Sequence, residues 1–170
     1  MAAAREPLCS SSNTVADLEA LLAAIYERPD DDVLRSVYAD ALLETGDPRG
    51  EFISLQLHQP TNPRARTLAT RFAEVWLGEL APVVIASEWK RGFLDAVEID
   101  AFQSSVLLRL ANKREWTTVR TVELGGTAPY ERSHTRATHQ KMVIKTLMRS
   151  PGSAKRTFRP SYAQLEAGYR

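Results

Sequence analysis

At Gly46-Asp47-Pro48 a helix stop, a helix cap and a helix start stand back to back, and this run constrains the chain more than any other. Glycine takes the left-handed conformation that ends a helix, aspartate offers a carboxylate to the bare N–H groups of the next one, and proline suits its first position. One helix must therefore end and another begin with almost no loop, and rods joined so tightly turn sharply on one another. Before the joint, Val33, Leu34, Val37, Tyr38, Ala41 and Leu42 recur at helical spacing, behind Asp30, Asp31 and Asp32, whose charges suit a helix start. After it, Phe52, Ile53, Leu55 and Leu57 continue the pattern. An earlier helix, capped by Asn13 or Thr14, carries Val15, Leu18, Leu21, Leu22 and Ile25 and ends at Pro29.

Two prolines within residues 59–63 mark a linker, and a fourth helix over 64–80 turns Leu68, Phe72, Val75, Trp76 and Leu80 inward. Beyond Pro82 the period changes. Phe93, Leu94, Ala96, Val97 and Ile99 interleave with Glu98 and Asp100 as one strand, and Val119, Val122 and Leu124 interleave with Arg120 and Glu123 as another. Val106, Leu107, Leu108 and Leu110 form a short helix between them, ending near Asn112. Val97 and Val122 are 25 residues apart, inside the range of roughly 20–29 residues found in leucine-rich repeats, where each unit supplies a strand and a return helix. Past Gly125-Gly126 the pattern is not sustained. A short amphipathic helix over Met142, Val143, Ile144, Leu147 and Met148 precedes an end rich in Pro, Gly, Ser and Arg, with little capacity to pack.

The expected fold class is α+β, mainly α: an N-terminal helical unit, then one or two strand-helix units like the start of a leucine-rich-repeat array, then an irregular basic tail. The expected divisions are a flexible leader (1–13), the helical domain (14–58), a linker and bridging helix (59–82), the strand-helix-strand segment (83–126) and a partly disordered tail (127–170). The outer edge of the second strand is a liability, which another chain, giving self-association, or residues of the tail would cover.

Lys and Arg number 22 against 21 acids, so net charge does not mark the whole molecule as a polyanion binder. The charge is unevenly placed: residues 127–170 hold nine basic residues against Glu131 and Glu166, a balance of +7, which leaves −6 for residues 1–126. The tail residues Arg132, Arg136, Lys141, Lys145, Arg149, Lys155, Arg156 and Arg159 are candidate nucleic-acid contacts, with Tyr130, Phe158, Tyr162 and Tyr169 as stacking groups. They do not fall into a groove-reading motif. The lone Cys9 fits a reducing compartment, no window reaches the ~20 apolar residues of a membrane span, and the expected location is cytoplasmic.

The block Tyr38-Ala39-Asp40, then Gly46-Asp47-Pro48-Arg49-Gly50-Glu51-Phe52-Ile53, then Leu55-Gln56, is too long to arise from helix patterning alone. It resembles the repeat-companion domain, a bacterial family of planctomycete and myxobacterial type that sits ahead of leucine-rich or other repeats. The similarity covers residues 18–57 and continues more weakly through Trp76 to Pro82 and Arg91 to Leu94. It implies an interaction or scaffold role with an unidentified protein partner, no catalytic residues and no cofactor. Tyr38, Ala39, Asp40, Gly46, Asp47, Pro48, Arg49, Gly50, Glu51, Phe52 and Gln56 are its structural signature. Ala41 stands where the family usually has Trp, and relatives continue into further repeats, so the basic end reads either as truncated or frame-altered or as a tail in its own right.

Asp40, Glu44, Asp47 and Glu51 are the candidates for a metal-dependent enzyme. Against that reading, Asp40 and Glu44 are one helical turn apart, Asp47 is a cap, and no partner base accompanies them; Asp40 is expected to pair with Arg49 across the joint. Asp30 to Asp32 lack the ligand alternation of an EF-hand, and His58, His134 and His139 have no zinc spacing with Cys9 or each other. Ser10 to Ser12 have no neighbouring base.

Overall fold

The computed structural model describes residues 11–100, 103–125, 143–145, 147–149, 152 and 157–160. Four helices come first: α1 (Ser11–Glu27), α2 (Asp32–Glu44), α3 (Pro48–His58) and α4 (Pro63–Leu77). α1 begins before Asn13 and Thr14, so neither is the cap expected of it and the helix extends into the expected leader; the starts of the next three helices have local causes. Asp31 caps α2, its Oδ1 accepting from the N–H groups of Val33 (3.1 Å) and Leu34 (3.2 Å). Asp47 caps α3 through the Arg49 N–H (2.8 Å), with Pro48 in the first position, and Asn62 and Pro63 repeat the arrangement at α4. Gly46 takes φ +77° between α2 and α3, so the sharp joint expected there is present.

A 3₁₀ segment (Gly78–Val83) leads into a four-stranded sheet of order β1 (Val84–Lys90), β2 (Phe93–Asp100), β3 (Thr121–Gly125), β4 (Thr157–Pro160). β1 and β2 form an antiparallel hairpin; β3 runs parallel to β2, and β4 parallel to β3. The crossover from β2 to β3 carries α5 (Ser104–Leu110) and a second 3₁₀ turn (Arg114–Thr117). Val97 lies directly opposite Val122, so the 25-residue interval is one complete strand-to-strand return. The molecule is therefore a mainly helical α+β protein.

Three apolar clusters hold it together. Beneath the sheet, Val97, Ile99, Val122 and Leu124 meet Leu107 and Leu110 of α5 and the fully buried Trp116. The Trp116 indole N–H donates to the Leu110 carbonyl at 2.8 Å, which satisfies the polar atom that burial of an indole would otherwise strand. Ile25, Tyr38, Leu42 and Ile53 of the first three helices close around Phe93, the first residue of β2. Phe52 is fully buried between α3 and α4, stacked on Trp76 at 4.7 Å between ring centres and edge-on to Trp89 of β1. Burial on this scale contributes about 2–3 kcal/mol for each large side chain.

Several expectations are corrected. Val33, Val37 and Val75, read as inward-facing, are 73%, 47% and 74% exposed, because the burying contacts on α2 and α4 form a narrower stripe than the run of apolar residues. The β1 strand was not apparent: its sequence Val-Ile-Ala-Ser-Glu-Trp-Lys lacks clean alternation, and two register shifts interrupt its pairing. The end with little capacity to pack contains β4, whose Phe158 packs against the main core. β4 covers the edge of β3, so tail residues meet the liability expected there and self-association is not needed to cover that edge. Residues 143–145 and 147 are helical, and Val143 and Leu147 are buried under the sheet.

Candidate functional site

The signature block converges on the turn of the β1–β2 hairpin. Arg91 and Gly92 occupy that turn with φ of 53° and 81°; two consecutive left-handed residues make the tight turn whose twist matches a hairpin. Arginine is not at ease there, and its surroundings hold it. Arg35 of α2, only 2% exposed, donates from Nη1 to the Arg91 carbonyl (2.8 Å) and the Lys90 carbonyl (3.4 Å), and from Nη2 to the Pro29 carbonyl. The Arg91 side chain in turn pairs with Asp32 (3.1 Å) and Asp30 (3.3 Å), and Asp30 also meets Arg120 at the approach to β3. The aspartates expected only to start a helix thus also tie α2 to the sheet.

Gln56 grips the same turn from α3. Its Nε2 donates to the Trp89 carbonyl (3.0 Å) and its Oε1 accepts from the Gly92 N–H (2.7 Å). Gly92 lies so close to α3 that a Cβ there would fall 2.2 Å from Cγ1 of Ile53. Gly50 plays the matching part between helices, where a Cβ would fall 2.7 Å from the Ala39 carbonyl oxygen. Phe93 has guanidinium groups of Arg35 (4.6 Å) and Arg49 (5.1 Å) over its ring, and Tyr26 and Tyr38 pack beside it. Burial pushes the Arg35 pKa down to about 10, with Arg91 adding to the effect, so it stays protonated at neutral pH. Burial pushes Tyr26 up to about 12 and raises Tyr38 in the same sense.

The acidic candidates do not converge. Asp40 and Glu44 are exposed, Asp47 is spent as a cap, and Glu51 forms a two-pronged ion pair with Arg64 of α4 at 2.8 and 3.0 Å. The Arg64 hydrogen bond holds the Glu51 carboxyl below its ordinary pKa. The expected Asp40–Arg49 pair is not formed, because Arg49 lies against Phe93. Among the described residues no group of three or more His, Cys, Asp or Glu side chains could hold a metal ion. Of the basic tail residues, Lys145 and Arg149 are exposed and Arg159 lies in β4, while Arg132, Arg136, Lys141, Lys155 and Arg156 fall outside the described residues, as do Cys9, His134 and His139.

The other face of the sheet is the surface that sequence reasoning did not single out. Where one face carries Val97, Ile99, Val122 and Leu124 into the core, the opposite one opens onto a cleft of about 350 Å³ whose lining includes Glu88, Ala96, Glu98, Thr121 and Glu123. Pairing fixes two rows across the strands: Ala86, Glu98 and Glu123 in one, Glu88, Ala96 and Thr121 in the next. Glu98 and Glu123 are register partners on adjacent parallel strands. Gly125 leaves room for the Glu98 carboxylate, since a Cβ there would fall 2.1 Å from its Oε1. The signal available in the sequence was the acid interleaved in each strand at the same 25-residue interval as the valines.

No family model matches this chain, and no curated protein or solved structure matches it. Among the described residues no helix is long and apolar enough to cross a membrane.

Proposed function

We propose that this protein is a non-enzymatic interaction or scaffold module of the cytoplasm, in which the helical unit caps the start of a strand array and the open sheet face is presented to a protein partner. The observation that carries this reading is the use to which the signature residues are put. Tyr38, Phe52 and Gln56 serve the packing of the helices on the hairpin, Gly50 lets α3 close on α2, and Arg35 adds to the same clamp. Residues occupied in this way are placed for architecture, and among the described residues no helix covers the sheet face opposite the core, which is left for recognition. The likeness of the 38–56 block to the repeat-companion domain supports the same reading, since those domains stand ahead of repeats, and an open array needs a cap on its first apolar layer.

The test is site-specific photocrosslinking in the native cells, with a benzophenone amino acid at Thr121 in the cleft or at the exposed Arg66 of α4 as the control. The expected result is a covalent protein adduct at 121 that is lost when Glu123→Lys is added, and none at 66. Equal labelling at both positions, or none at 121, would overturn the reading.

A further inference from the structure

We propose that the cleft between the α2–α3 joint and α4 takes an acidic segment of a partner protein, with a carboxylate on Arg49 and an aromatic side chain on the rings of α4. The inference concerns the helical unit and goes beyond the sheet-face reading, which stands or falls without it. The cleft holds about 650 Å³, and its lining includes Tyr38, Asp47 and Arg49 on one side and Phe72, Val75 and Trp76 on the other. The α4 side is the outer end of a stack of rings. Phe52, fully buried, lies against Trp76 at 4.7 Å between ring centres, and Trp76 lies against Phe72 at 5.6 Å. Phe72 is half-buried, and Val75 beside it is 74% exposed. An aromatic ring from a partner would extend such a stack and cover the valine.

Arg49 supplies the charge. Its guanidinium lies over Phe93 at 5.1 Å, and its Nε is buried with no hydrogen-bond partner. The Nε groups of Arg35 and Arg91 are buried in the same way, but both of those side chains are anchored through their terminal nitrogens. Arg49 has no such anchor: among the described residues its side chain makes no hydrogen bond and no ion pair. Burial raises the Tyr38 phenol and the Arg49 charge opposes that rise, which sets the guanidinium beside the Tyr38 wall of the cleft. A cation stripped of water on one side and paired with nothing is a costly arrangement. A carboxylate on its terminal nitrogens offsets that cost through charge-assisted hydrogen bonds. Asp47 stands on the same wall, where its Oδ1 accepts from the Arg49 N–H. One guanidinium beside an aspartate suits a single carboxylate better than a doubly charged phosphate, so the commitment is to an acidic peptide.

The probe is the fluorescein-labelled heptapeptide Gly-Ser-Phe-Glu-Phe-Ser-Gly, followed by fluorescence anisotropy against the full chain, with the same peptide carrying Gln in place of Glu as control. Saturable binding of the glutamate peptide is expected, with the glutamine peptide weaker by roughly fivefold or more. Arg49→Met keeps an apolar stem over Phe93 and removes the charge, so this variant should bind the two peptides alike. Val75→Glu changes an exposed position outside the packed core and sets a carboxylate at the rim of the cleft. It should weaken the glutamate peptide by roughly threefold. Absence of saturable binding, or equal binding of both peptides by the unaltered chain, overturns the proposal. Persistence of the glutamate preference in a folded Arg49→Met chain overturns it too, as does binding that Val75→Glu leaves unchanged, since the peptide would then lie elsewhere. If Arg49→Met fails to fold in a thermal melt, Val75→Glu decides.

Discussion

Gly92 is the residue on which the junction of helices and sheet most depends. Its φ of 81° and the 2.2 Å separation between a built Cβ and Ile53 leave no room for alanine. Gly92→Ala should lower stability by about 3 kcal/mol in urea denaturation, from backbone strain plus overpacking. Gln56→Leu removes both hydrogen bonds to the turn, and a loss of about 2 kcal/mol is expected; amide exchange at Gly92 should speed up in the same variant. The tyrosines make the junction sensitive to alkali. Tyr26 stays neutral in the fold up to a pKa of about 12, against 10.0 for an ordinary tyrosine, because burial disfavours its anion. A raised folded-state pKa gives stability that is complete below pH ~10 and is lost as pH rises through ~12, about 3 kcal/mol at most. Arg35 acts in the opposite sense over that range, because its pKa is pulled down to about 10. The comparison of wild type with Tyr26→Phe in an alkaline titration therefore isolates the tyrosine, and the variant should unfold at the higher pH. None of these contacts is readable from local sequence, since Arg35 meets residues 55 and 56 positions away and Gln56 one 36 positions away.

At the scale of elements, the helices were legible because their ends are written in adjacent residues. Asp47, Pro48 and Gly46 state a stop and a start without help from the rest of the chain. Removing that local statement has a local effect: Asp47→Ala should cost about 1 kcal/mol by thermal melting. β2, α5 and β3 were legible from their periodicity, and the 25-residue interval correctly placed Val97 opposite Val122. β1 and β4 were not, for two different reasons. β1 is interrupted by register shifts after Val84 and after Glu88, which destroy a period of two. β4 has one inward-packing residue, Phe158, and exists because β3 offers an unpaired edge beside it. The acidic rows were visible as alternation, but their juxtaposition requires knowing that β2 and β3 run side by side in parallel.

The whole molecule is asymmetric in how it treats the edges of its sheet. Truncation after residue 156 removes β4, exposing the β3 edge and the apolar contacts of Phe158. Light scattering should then show concentration-dependent self-association beyond that of the full chain under the same conditions. At the opposite side β1 defends itself: its two register shifts twist the edge, and Gln56 takes the Trp89 carbonyl that an incoming strand would need. The hairpin therefore sets a direction. A strand arriving beside β1 meets a crooked, partly claimed border, whereas one arriving beyond β4 would meet backbone running the same way as the two before it. Added strands on that far side would stand apart from the hairpin turn that Arg35 and Gln56 hold, with β3 and β4 between them.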